Sequence, residues 1–205
     1  MKNANPSRTN VRYLCELALL TAIVIIMAFT PLGYLKTPFA EITFIVVPVA
    51  IGAVTLGPGA GAFLGLVFGL TSFAQCFGMS AFGTMLLSMK PVATFVACVV
   101  PRIFVGLLPG LAYRGLRKVD KKDGWSIAVC CVLAPITNTV LYLLATCLFF
   151  QDILMEAYGY VGSGGIVFLG WLIASVAVNI VCETASSLIL GGAISKALKK
   201  TLNRV

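Results

Sequence analysis

From Ile42 to Met89 the chain carries no charged residue. Soluble domains use about a quarter charged residues, so such a stretch cannot build a water-facing surface. It is long enough for two bilayer crossings at about 20 residues each. The rest of the chain agrees, with 60% of 205 residues apolar and 11% charged. The expected fold is an all-α membrane protein: a single membrane domain over residues 1–205, a compact bundle of six transmembrane helices with both termini cytoplasmic.

The formal charge of +8 does not point to nucleic acid, because its distribution is that of a membrane protein. Of fifteen Lys and Arg, twelve fall in three places: the N-terminus (Lys2, Arg8, Arg12), one central loop (Arg114, Arg117, Lys118, Lys121, Lys122) and the C-terminus (Lys196, Lys199, Lys200, Arg204). Retention of basic flanks in the cytoplasm explains all three, and an even number of crossings then joins the ends. The seven cysteines show no CxxC pair and read as small packing residues rather than a disulfide framework. The chain has no histidine, which removes HExxH zinc sites and Ser-His-Asp triads together. No metal and no cofactor is expected. The first apolar run lacks the small-residue cleavage site of a secretory signal.

Hydropathy and breakers place helices at about 11–29, 43–56, 60–74, 91–113, 125–150 and 166–198, with outer loops at 30–42, 75–90 and 151–165. In the first helix Ala18 and Ala22 stand four apart, a small-residue strip for close packing on another helix. The loop TPLGYLKTPFAEI carries Lys36, Phe39 and Glu41, read either as interfacial anchors or as residues that close over a ligand. Helices two and three meet at GPGAG and must be antiparallel neighbours. Glycines at 61, 65 and 69 give helix three a strip for close approach.

The segment QCFGMSAFGTMLLSMK, Gln75 to Lys90, mixes glycines with Phe77, Phe82 and Met85. A loop of this length fits a gate, with Gln75, Phe82 and Lys90 as candidate gating residues. A half-inserted membrane hairpin is the other reading.

Helix four then carries a lone arginine about 16 Å along its axis, near the bilayer middle. An arginine at that depth costs about 2.5 to 3.5 kcal/mol on insertion scales, so Arg102 faces protein, water or ligand. Thr94 shares its face. Helix five brings Asn138 and Tyr142, and helix six brings Trp171, Ser175, Asn179 and Glu183 at four-residue spacing, a polar stripe on one face. Two readings follow. Arg102 and Glu183 pair with each other, or helices four to six line a cavity. In the cavity Arg102 meets an anionic group, Asn138 and Asn179 give hydrogen bonds, and Trp171 or Tyr142 forms an apolar wall.

Taken together, the AxxxA pair, the run ITFIVVPVAIGAVTLGPGAGAFLGLVFG at 42–69 and the basic termini resemble the substrate-binding S-components of energy-coupling factor (ECF) vitamin transporters, over nearly the whole chain. The resemblance implies a subunit that captures a small water-soluble vitamin outside. It would work with a membrane coupling subunit and two cytosolic ATPases. It also implies that Ala18 and Ala22 face the coupling subunit and that loops 30–42 and 75–90 gate the substrate. The absence of a GxxxxGK[ST] phosphate loop agrees with that division of labour. The segment KPVATFVACVVPRIFVGLLPG is similar to members for pantothenate or the pyrimidine precursor of thiamine, with riboflavin open; Arg102 suits the pantothenate carboxylate. The rival classes are an intramembrane enzyme using Glu183 or Asp152, a structural subunit whose polar residues merely pair, and a stand-alone transporter. The last would be expected to show an internal repeat.

Overall fold

A computed structural model describes residues 6–31, 33–36, 41–120, 124–157, 177 and 179–202. Helix α1 (Pro6–Ala28) starts with an Arg12–Glu16 ion pair one turn apart, at 3.0 Å. It buries only one stripe, Leu20, Val24 and Ala28. A two-stranded antiparallel hairpin follows, β1 (Tyr34–Lys36) and β2 (Glu41–Thr43), whose register sets Lys36 opposite Glu41. Helix α2 (Val46–Thr55) is buried from Val46 through Val54 and forms the centre of the core with Leu64, Phe68, Val105 and Ala134.

Pro58 opens α3 (Pro58–Gln75), its fixed φ suited to a first helical turn, and Gly57 before it takes φ 101. Ser80 caps α4 (Ala81–Met89) by accepting the Gly83 N–H at 3.3 Å. Helix α5 spans Pro91–Leu116. Asp120 caps α6 (Gly124–Ala157), its Oδ2 accepting the N–H groups of Trp125 (3.0 Å) and Ser126 (2.9 Å). The last run, α7, is helical over 179–202 and contains a π-helical turn at Ser187–Gly191.

Among the described residues four segments are long and apolar enough to cross a membrane: Val11–Ala28, Pro91–Leu116, Gly124–Phe150 and Asn179–Leu198. Helix α2 reaches only about 15 Å and lies inside the others.

Several boundaries differ from the sequence expectation. The segment 30–42 holds most of a short two-stranded hairpin in an otherwise helical fold, and Thr43 is strand rather than helix. The segment 75–90 is no open loop, because Gly78 at φ 117 turns the chain and Ser80 then starts a capped helix. Helix α6 runs past 150 to Ala157, taking the first residues of the expected loop 151–165. The expected start of helix six, 166–176, lies outside the described residues.

The scaffold seam lies between α3 and α5. A Cβ on Gly61 would strike the Gly106 carbonyl, one on Gly65 the Arg102 carbonyl, and one on Gly69 would sit 2.8 Å from Val99 Cα. The glycine strip thus brings two backbones into contact and fixes the height of Arg102 against α3.

Candidate substrate site

Arg102 follows a proline, and that adjacency explains half of its environment. Pro101 has no N–H, so the Ala97 carbonyl one turn back loses its helical donor. The Arg102 guanidinium supplies it, Nη1 donating to Ala97 O at 2.9 Å. The same group lies over the Tyr142 ring, 4.3 Å from its centroid, and 5.6 Å from the Phe68 centroid. Aromatic faces attract a cation most strongly away from water, and Arg102 is 8% exposed. Its Nε has no hydrogen-bond partner among the described residues.

Glu183 sits on α7, against α6 and the hairpin. It is 1% exposed. One oxygen accepts the Thr43 backbone N–H at 2.9 Å and the other faces Asn138 Nδ2 at 3.5 Å. The Asn179 side chain, one turn earlier on α7, lies close enough to favour the charged carboxylate. Glu183 therefore joins α6, α7 and the hairpin. The Arg12–Glu16 contact is the ion pair found among the described residues, and no such contact joins Arg102 to Glu183.

Beside Glu183, Asn138 Oδ1 and Asn179 Oδ1 are buried without partners among the described residues, as are Thr139 Oγ1 on α6, Thr184 Oγ1 on α7 and Arg102 Nε. Buried polar atoms are nearly always hydrogen-bonded, to protein or to something bound. The arrangement suits a small ligand with an anionic end and several hydrogen-bond donors. Among the described residues it gives no proton-transfer pair.

The other expected residues are distributed as follows. Tyr142 is in the site. Thr94 is buried, but its hydroxyl donates to the Lys90 carbonyl at 2.9 Å on its own helix. Gln75 is buried at the end of α3 and donates to the Ala28 carbonyl of α1, while Lys90 Nζ donates to the Phe149 carbonyl at 3.1 Å. These two anchor the ends of the segment 75–90. Ala18 and Ala22 are exposed, so their strip is left uncovered by the described residues. Phe39 and Trp171 lie outside the described residues, as do the side chains of Lys36, Glu41 and Phe82. Sequence reasoning missed Phe68 and Thr43. The Pro-Arg dipeptide was a legible signal for the Ala97 contact; nothing local marks Thr43.

Residues 12–198 match the family model described as ECF transporter, substrate-specific component. The chain is an ECF S-component. A similar protein from Lactococcus lactis subsp. cremoris, named pantothenic acid transporter PanT, is 35% identical over 199 residues, covering 91% of this chain and 93% of its own. A pantothenate transporter PanT of Leuconostoc mesenteroides subsp. mesenteroides is 30% identical over 200 residues, covering 94% of each chain. The S-component is thus a multi-pass cell-membrane protein, the substrate-binding part of an importer that works with ECF partners. The enzyme reading falls, because its relatives are transporters.

Proposed function

We propose that this S-component captures pantothenate from outside the cell and delivers it through a coupling subunit and two ATPases. The crossings are α1, α2, α3, α5, α6 and α7, with α4 at the outer face and both termini in the cytoplasm. Arg102 receives the vitamin's carboxylate, Asn138 and Asn179 hydrogen-bond its polar end, and Tyr142 with Phe68 walls the anionic end. The hairpin and the α4 segment close over it between their anchored ends. The observation that carries this reading is a buried guanidinium, bracketed by two rings and unpaired with any carboxylate among the described residues. Two similar proteins named for pantothenate support it.

Calorimetry on the purified full chain tests it. Pantothenate is expected to bind at least about 100-fold more tightly than pantothenol, in which an alcohol replaces the carboxylate. Arg102→Gln is expected to erase that difference. Retention of riboflavin or a pyrimidine instead of pantothenate would overturn the assignment. The coupling subunit meets the outward strip of α1, so Ala18→Leu with Ala22→Leu is expected to abolish co-purification with that subunit while vitamin binding stays within about two-fold.

A further inference from the structure

Glu183 is too enclosed, and too fully engaged, to serve as a ligand contact. At 1% exposure it accepts the Thr43 N–H at 2.9 Å and faces the amides of Asn138 and Asn179. Both carboxyl oxygens act as acceptors here, Oε1 from the Thr43 N–H and Oε2 from Asn138 Nδ2, whereas an asparagine amide has a donor end and an acceptor end. The carboxylate therefore takes the NH₂ end of each amide. Both Oδ1 atoms are turned away from it, and both are buried without partners among the described residues.

We infer that Glu183 is a positioning residue: it fixes the orientation of the Asn138 and Asn179 amides, and so makes the site demand a ligand that brings hydroxyl or N–H donors. This rests on the pantothenate reading, since pantothenate offers two hydroxyls and an amide N–H beside its carboxylate. A ligand without donors leaves two buried acceptors unpaired, and sites of that kind reject such analogues strongly. The Thr43 contact places the same carboxylate under the hairpin, so the closing element and the selectivity share one anchor.

The test compares pantothenate with its dideoxy analogue, which keeps the carboxylate and amide and lacks both hydroxyls, on the purified full chain. Wild type is expected to prefer pantothenate by about 100-fold or more. In Glu183→Gln the new side chain offers both a donor and an acceptor, the asparagines are free to turn, and the preference is expected to fall to about 10-fold or less. The preference for pantothenate over pantothenol, which reads Arg102, is expected to stay within about two-fold. Asn138→Ala with Asn179→Ala should lower the hydroxyl preference to the same degree, and adding Glu183→Gln should lower it no further. An equal loss of affinity for both ligands in Glu183→Gln, or a further drop in the triple variant, overturns the inference.

A second measurement needs no ligand. In protein labelled with ¹⁵N-asparagine, the Asn138 side-chain amide resonances, assigned by Asn138→Ala, are expected to move in Glu183→Gln and to hold their position in Glu183→Asp. Unchanged resonances in Glu183→Gln overturn the inference. If wild type binds neither ligand, the pantothenate reading falls, and the amide resonances still decide the role of Glu183.

Discussion

The α3–α5 seam and the α6–α7 face are both buried, yet they are built on opposite terms. At the seam, Gly61, Gly65 and Gly69 remove side chains so that backbone meets backbone at Gly106, Arg102 and Val99. On the other face, Asn138, Thr139, Asn179 and Thr184 keep polar atoms without partners among the described residues. A fully packed contact specifies a scaffold, while open polar atoms specify what must still arrive. Arg102 belongs to both: its carbonyl lies in the seam and its guanidinium reaches the Tyr142 ring of α6.

The sharpest way to break this contrast is Gly65→Leu. The added side chain meets backbone rather than a movable side chain, and overpacking of that kind is expected to cost about 3 kcal/mol or more, seen as lost monodispersity or a collapsed thermal transition in detergent. Gly59→Ala, with nothing within 4 Å of its new Cβ, should change stability by less than about 0.5 kcal/mol.

Next in size is Arg102→Lys. An ammonium cannot lie flat between two rings, hold the Ala97 carbonyl and accept a carboxylate fork together, so pantothenate affinity is expected to fall by about 10- to 100-fold with the transition temperature nearly unchanged. An affinity within two-fold of wild type would place the carboxylate elsewhere.

Glu183→Ala leaves the Thr43 N–H and two amides facing nothing, and is expected to lower unfolding free energy by about 1–3 kcal/mol. The smallest effect belongs to Thr139→Val. Its buried hydroxyl has no partner among the described residues, so removing it should cost less than about 0.5 kcal/mol in stability. A drop in ligand affinity without that cost would mark Thr139 as a contact.

The bundle was legible because lipid imposes a coarse rule: a charge-free run as long as Ile42–Met89 has few places to go. The glycine spacing at 61, 65 and 69 pointed to a close helix contact, which the seam fulfils against α5. Four-residue spacing aligned Asn179 with Glu183, and comparable depth on neighbouring helices brought Asn138 to them. The interior of 75–90 was misread because glycines suggested an open loop, while a serine cap and the apolar residues after it sufficed for a short helix. Thr43 was illegible for a different reason. Its part in the site is a backbone N–H, and every residue type but proline carries one. The strip Ala18–Ala22 shows a third limit: spacing marks a face as smooth without naming what lies against it.

The Pro101–Arg102 step also bears on how a cation is tolerated inside the bilayer. A bare cation in a helix fit for hydrocarbon draws in water or lipid headgroups. Here the guanidinium has a berth of its own: a carbonyl of α5 left open by the preceding proline, and the rings of Phe68 on α3 and Tyr142 on α6. The charge is thus accommodated within the bilayer, and any anion that reached the guanidinium would compete there with one carbonyl.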